Sequence, residues 1–249
     1  MSGHRKKITS VSFHPTRDVL FTSSADKTAR VWFKEGDKYS PAFTYSEHQG
    51  DVNALTVHPS GDYVITASAD RTWAFWDVTT GSMRVRVPTD QAAGYTAASF
   101  HPDGLILGTG SADSQVLIWD MKSQSNVAKF EGHRGEISSL AFSENGYYLA
   151  TSADTAVKLW DLRKLVNFKS LAFDNPVSTV SFDYSGQYLA VGGADLRYVY
   201  YILATGIVFI VVGNASVLYF VMRFVFLYVL CEYLKGVLYL SIYLLNLRM

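Results

Sequence analysis

Residues 63–77 read YVITASADRTWAFWD, from Tyr63 to Asp77. The run holds two apolar, β-branched and aromatic stretches, Tyr63–Ser68 and Thr72–Trp76, separated by Ala69-Asp70-Arg71, which has the polar chemistry of a tight turn. Two strands folded back on each other are the direct reading. Working outward, Asp51–Val57 alternates apolar and polar residues, and Pro59-Ser60-Gly61-Asp62 supplies a turn before Tyr63. Downstream, Val78–Gly81 turns again and Met83–Val87 suits an outer strand. The unit is therefore a four-stranded antiparallel sheet. Its inner strands carry large apolar residues at successive positions, as a sheet covered on both faces requires.

The unit recurs. Trp32, Trp76, Trp119 and Trp160 follow one another at 44, 43 and 41 residues, a period suited to propeller blades. Each Trp stands six positions after an Asp: Asp26, Asp70, Asp113 and Asp154. Asp77, Asp120 and Asp161 directly follow three of the four, and Phe33 takes that place in the first. His4 and His48 precede their Asp by 22 residues, and His133 precedes Asp154 by 21. The third unit breaks the pattern, because Gln91 stands 22 before Asp113 and Gly94-Tyr95 intrudes nearby. A fifth unit begins over Ser178–Asp195, but Tyr201 replaces its Trp, and no turn or outer strand is expected after it. The fold class is all-β: an incomplete propeller of four blades plus part of a fifth.

With these residues the chain resembles WD40-repeat proteins. The segments Gly94-Tyr95-Thr96, Phe100–Gly110, Val127–His133, Phe142–Thr151, Val157–Leu165 and Tyr188–Gly193 make it similar to the carboxyl-terminal propellers of the pre-mRNA-processing factor 19 family, in a plant-like form. The likeness spans residues 4–197. It implies a seven-bladed parent of which this chain is a truncated piece, with blades absent before His4 and after Arg197. It further implies a nuclear, splicing-associated U-box ubiquitin ligase, with roles in ubiquitination and DNA repair, whose propeller engages spliceosomal subunits or ubiquitination substrates. None of the U-box or coiled-coil sequence is in this chain, so ligase activity is not expected to reside here.

The resemblance also implies that His, Asp, a strand hydroxyl and Trp form a hydrogen-bonded set inside each blade. The sets would be His4/Asp26/Trp32, His48/Asp70/Trp76 and His133/Asp154/Trp160, with Thr22 and Thr66 as the first two hydroxyls and Asp113/Trp119 lacking a His. Gln91 could substitute for that His, and a local binding feature near Asp90–Tyr95 is the other reading of the gap. A His beside Asp and Ser/Thr also suits a hydrolase triad. However, a catalytic set appears once, whereas this one recurs with the fold period, so a structural role is expected and no catalytic residue is assigned. His14, His58 and His101 each precede Pro at equivalent turns of different blades and cannot converge on one ion, so no metal or cofactor is expected. Arg5-Lys6-Lys7 and Arg163-Lys164 read first as solvated turns and second as contacts for RNA or an acidic partner. Trp73 is extra to the repeat and is expected to pack on the next blade.

Composition narrows the partners. Lys+Arg and Asp+Glu are equal at 22 in 249 residues, so there is no net positive field to attract nucleic acid. Protein partners rather than small molecules are what the resemblance implies. One cysteine, Cys231, excludes an internal disulfide framework and fits a reducing compartment.

Residues 198–249 differ from the rest. They hold 40 apolar residues in 52 and only Arg223, Glu232, Lys235 and Arg248 as charges. The domain reading is a partial propeller over 1–197 and a hydrophobic tail over 198–249. Tyr198–Met222 runs 25 residues without a charge, long enough to cross a bilayer as a helix, and Gly236–Leu247 adds 12 more. Translation of a retained intron, or a faulty gene model, is the leading expectation. A membrane-anchored WD40 scaffold, with membrane localisation, is the alternative. The third reading is a tail that packs as crude replacement strands, which its Val, Ile, Tyr and Phe suit. An open arc of blades also exposes two apolar faces and should associate.

Overall fold

The computed structural model describes residues 3–90 and 92–193, and the strands 197–202 and 208–212 as backbone. It is five four-stranded antiparallel sheets, each of four strands in chain order. The first sheet holds β1 (Ile8–Phe13), β2 (Val19–Ser24), β3 (Ala29–Glu35) and β4 (Lys38–Tyr45). The second holds β5 (Val52–Val57), β6 (Tyr63–Ser68), β7 (Thr72–Asp77) and β8 (Met83–Pro88). The third is β9 (Tyr95–Phe100), β10 (Ile106–Ser111), β11 (Val116–Asp120) and β12 (Ser125–Phe130). The fourth is β13 (Ile137–Phe142), β14 (Tyr148–Ala153), β15 (Ala156–Asp161) and β16 (Val166–Ala172). The fifth is β17 (Val177–Phe182), β18 (Tyr188–Gly193), β19 (Arg197–Ile202) and β20 (Val208–Val212).

Burial follows the order of strands within each blade. The second strands β2, β6, β10 and β14 are buried almost throughout, which explains their unbroken apolar and small-residue runs. The fourth strands are the outer ones, and β16 is exposed along nearly its whole length. The first strands of successive blades are neighbours.

Neighbouring blades are joined by a repeated bond from the second residue of each first strand. Thr9 Oγ1 donates to the Val52 carbonyl, Asn53 Nδ2 to Tyr95 O at 2.8 Å, Thr96 Oγ1 to Ile137 O at 2.6 Å and Ser138 Oγ to Val177 O at 2.8 Å. Four different sequences thus place a side-chain donor at one position. A second junction lies at the turn after each first strand. The His58 ring stacks edge-on to Phe100 of the next blade, and its Nε2 donates to Gly104 O at 3.2 Å. His101 does the same with Phe142 and Gly146 O, at 3.0 Å. His58 and His101 are therefore inter-blade clasps in separate blades, whereas His14 Nε2 accepts from Arg17, which itself reaches Gly61 O at 3.2 Å.

The fifth sheet goes beyond the expectation that no turn or outer strand follows Tyr201. β19 pairs along β18, with Leu189 opposite Tyr201, and β20 pairs along β19, with Tyr201 opposite Val208. The first part of the hydrophobic tail supplies extended strands, and the helical reading of Tyr198–Met222 fails over 198–202 and 208–212. The reason lies in residue type: Tyr, Val, Ile and Phe favour a pleated surface over a helix when a sheet edge is available to pair with. No helix among the described residues is long and apolar enough to cross a membrane. Gln91, Asp195 and the stretch Gly236–Leu247 lie outside the described residues.

Candidate functional site

The repeated His, Asp, Thr and Trp come together where the turn between a blade's second and third strands meets the loop entering the blade. In the second blade Trp76 Nε1 donates to Thr66 Oγ1 at 2.8 Å, and that hydroxyl lies 2.7 Å from His48 Nε2. His48 Nδ1 stands 3.1 Å from Asp70 Oδ2. One assignment uses every proton once: indole N–H to threonine oxygen, threonine O–H to Nε2, Nδ1–H to carboxylate. Asp70 also accepts from the Gln49 and Thr72 amides at 2.8 and 3.0 Å, from the Thr72 hydroxyl at 2.6 Å and from Arg86 at 3.1 Å.

The first blade repeats the set. Trp32 Nε1 to Thr22 Oγ1 is 2.9 Å, Thr22 Oγ1 to His4 Nε2 is 2.8 Å and His4 Nδ1 to Asp26 Oδ2 is 2.9 Å. The Arg5 amide, the Thr28 amide and the Thr28 hydroxyl also donate to Asp26, at 2.9, 3.1 and 2.6 Å.

Electrostatics fix the protonation states. Burial pushes the Asp70 carboxyl up, but the Thr72 hydroxyl, the Gln49 amide and His48 outweigh it and hold it at about 2. The same opposition holds Asp26 well below the usual carboxylate range. Burial lowers His48 despite the Asp70 charge, so the ring is neutral at pH 7 and the pair is a hydrogen bond to a carboxylate rather than an ion pair.

The third blade keeps part of the set. Trp119 Nε1 donates to Thr109 Oγ1 at 2.9 Å, and Asp113 accepts the Ser111 hydroxyl. Tyr95 is fully buried at the position of Val52 and Ile137, which makes it a core residue of the first strand rather than a ligand contact.

The fourth blade departs from the expected grouping. His133 Nε2 reaches Thr151 Oγ1 at 2.7 Å and Trp160 Nε1 reaches the same oxygen at 2.8 Å, yet no hydrogen bond joins His133 to Asp154. The cause is one residue of chain. Thr22, Thr66 and Thr109 precede their Trp by ten positions, whereas Thr151 precedes Trp160 by nine, so the β14–β15 hairpin is one residue shorter. Ala153 pairs with Ala156, and Asp154 occupies the turn with φ 48°, which carries its carboxylate away from the histidine. His133 Nδ1 is left buried without a partner, and burial, aided by Lys158, pushes the ring down to about 4. The shortened Thr-to-Trp spacing was the signal in the sequence.

In form each complete set is a hydroxyl, an imidazole and a carboxylate in series. Its geometry is closed, because Thr22 and Thr66 are buried behind the indole that donates to them. A hydroxyl already bonded on both sides, and out of reach of solvent, is a tie between strands. Other marked residues are also occupied. Trp73 is wholly buried against Trp119 of the next blade, with ring centroids 5.8 Å apart. Arg163 is paired through Nη2 with Asp161 at 2.8 Å and lies over the Tyr147 ring at 4.6 Å.

Comparison with known proteins places this geometry. Residues 13–221 match the β-propeller family model described as nucleolar protein 10-like, N-terminal domain. Pre-mRNA-processing factor 19 of Oryza sativa subsp. japonica is 52% identical over 202 residues, which covers 79% of this chain and 38% of the relative. Pre-mRNA-processing factor 19 homolog 2 of Arabidopsis thaliana is 51% identical over 199 residues, covering 79% and 38%. Pre-mRNA-processing factor 19 of Homo sapiens is 52% identical over 202 residues, covering 79% and 40%. The chain thus spans about two fifths of the length of these relatives.

Proposed function

Because the chain belongs to the nucleolar protein 10-like N-terminal β-propeller family, and half of its propeller residues are those of pre-mRNA-processing factor 19 proteins, we propose that it is a protein-docking WD40 module of pre-mRNA splicing. The observation that carries this reading is the 52% identity over 202 residues to a protein named for pre-mRNA processing. Its partners are subunits of the splicing assembly or substrates of ubiquitination, and its compartment is the nucleus. The chain transfers no group itself: the triad-like sets recur with the blades and are spent on internal hydrogen bonds, so they hold strands in place. The rice and human relatives are equally identical at 52%, so overall identity does not favour a plant-like form. We read residues 1–197 as the propeller piece, and the strands at 197–202 and 208–212 as a tail segment serving as the fifth blade's outer half.

The test is competition. Folded chain, added to a splicing-competent nuclear extract, should reduce splicing of a reporter transcript in a dose-dependent way. Excess full-length rice relative should restore it, and cross-links should map to splicing subunits. Unchanged splicing together with no such cross-link overturns the reading.

A further inference from the structure

In the first and second blades, two donors from the loop entering the blade close on one carboxylate oxygen. His4 Nδ1 and the Arg5 amide both stand 2.9 Å from Asp26 Oδ2, and His48 Nδ1 and the Gln49 amide stand 3.1 and 2.8 Å from Asp70 Oδ2. The fourth blade keeps both donors and loses the acceptor. His133 Nδ1 is buried without a partner, and the Arg134 amide makes no hydrogen bond among the described residues. Because the Trp160 indole already donates to Thr151 Oγ1, the threonine hydroxyl donates to His133 Nε2, which leaves the ring proton on Nδ1. That proton stands on the nitrogen that meets an acid in the first two blades.

A cation accompanies the donors. In the second blade Arg86 Nη2 reaches the same oxygen of Asp70 at 3.1 Å. In the fourth, Lys158 spends one proton on Ser170 Oγ at 3.2 Å, and its charge acts on the His133 ring. The acids nearby do not fill the place. Glu131 is paired with Lys129 at 2.6 Å, while Asp154 and Glu136 are exposed and make no ion pair among the described residues. The corner is also more open than its counterpart, since His133 is partly exposed where His48 is only 3% exposed. The loop carrying His133 is flanked by Gly132 and Gly135, and a β-carbon on Gly132 would meet nothing nearer than Lys158 Cε at 3.7 Å. Glycine on both sides leaves this backbone free to adjust to an incoming oxygen.

We propose that this corner of the fourth blade is a carboxylate-binding site, in which His133 Nδ1, the Arg134 amide and Lys158 take from outside the chain the oxygen that Asp26 and Asp70 supply from within. The ligand class is a carboxylate, carried either by an acidic side chain of a partner protein or by a small organic acid. Hydrogen bonds to an ionised acceptor are stronger than those to a neutral one, so these donors select a carboxylate over an amide or hydroxyl oxygen. The site follows from the shortened β14–β15 hairpin and is independent of any role in splicing.

Nuclear magnetic resonance of the histidine rings and backbone amides of the full chain, titrated with sodium acetate at pH 7 and constant ionic strength with chloride as reference, tests it. Acetate should shift the His133 ring and the Arg134 amide saturably and leave His48 and Gln49 unmoved, because their acceptor is internal. Lys158→Met should weaken the affinity at least threefold. Insertion of one Ser between Ser152 and Ala153 restores the Thr-Ser-Ser-Ala-Asp run of Thr22–Asp26, so that Asp154 reaches His133 and acetate no longer binds. A blocked glycine–aspartate–glycine peptide separates the sources: binding tighter than that of acetate assigns the side chain of a partner, and equal or weaker binding assigns a small acid. No saturable shift at His133, an equal shift with chloride, or undiminished binding in either variant overturns the proposal. If the insertion variant fails to fold, Lys158→Met alone decides.

Discussion

Phe100 meets the His58 ring edge-on, with centroids 5.0 Å apart, although the two residues belong to neighbouring blades. The contact is possible because Gly104, at φ 73°, presents no side chain to the ring and offers its carbonyl to His58 Nε2. Gly104→Ala should therefore cost both left-handed backbone strain, about 1–2 kcal/mol, and displacement of His58 from the next blade. Gly36→Ala provides the control, since Gly36 has φ 62° and open space around it, so it should cost the backbone strain alone. Denaturant titration of both variants should place Gly104→Ala lower by at least about 1 kcal/mol; equal losses would show that the clasp contributes nothing.

The hydroxyl at the centre of each set should matter in proportion to its partners. Thr66→Val leaves the Trp76 indole N–H without an acceptor and the His48 Nε2 without a donor, both in buried surroundings. At about 1–3 kcal/mol per unsatisfied buried group, the expected loss is about 2–6 kcal/mol. Thr109→Val strands the Trp119 indole and removes only a long 3.4 Å bond to the Leu117 carbonyl besides, so it should cost about half as much. Thermal melts of the two variants in parallel give the ratio.

His133 makes the fourth blade sensitive to mild acid. Its folded value of about 4 lies below the ordinary 6.5, so between those values the unfolded chain binds a proton that the folded chain refuses. The stabilising contribution is complete above pH 6.5 and is lost as pH falls through 4. The size is about 1–3 kcal/mol, the upper figure applying only without solvent screening. Burial also lowers His14 and His48, so these act in the same direction, opposing folding as pH falls below 6.5. The discriminating comparison is His133→Asn, which should flatten the fall in stability between pH 6.5 and 4 relative to the unmodified chain. An unchanged slope would mean that the ring is solvated or paired.

Much of this architecture was legible because it is periodic. A spacing of 44 residues between Trp32 and Trp76 implies a repeated sheet, and the Tyr63–Ser68 run appears as β6 at the expected bounds. What escaped depended on a single residue or on a neighbouring blade. Asp154 keeps its six-residue distance from Trp160, and the one-residue offset from His133 marks the set as irregular without showing that the residue is lost between Thr151 and the turn, where it separates the carboxylate from the ring. The turn histidines were weighed only as metal ligands, because their true partners, Gly104 and Gly146, are more than 40 residues further on. The strands at 197–202 and 208–212 match the third reading of the tail, replacement strands, in a composition that also suits a membrane helix. Only an unpaired sheet edge decides between the two, and that edge is a property of the fold.

Trp73 and Trp76 allow the contribution of the repeated indole to be separated from that of apolar bulk. Both are buried in the same strand, but Trp76 Nε1 donates to Thr66, whereas Trp73 Nε1 has no partner. Trp73→Phe removes an unsatisfied donor worth about 1–3 kcal/mol and loses packing on Trp119, two effects of opposite sign. The net change should fall within about 1 kcal/mol. Trp76→Phe gains no such relief. It takes a donor from Thr66 and opens space beside Tyr45, whose ring stacks on Trp76 at 4.3 Å, so its cost should be about 2–4 kcal/mol. Urea titrations followed by far-ultraviolet circular dichroism, which reports sheet rather than indole signal, measure both. If Trp73→Phe proves as destabilising as Trp76→Phe, volume alone explains the tryptophans, and the recurring Thr–Trp bond is not what holds the second strand to the third.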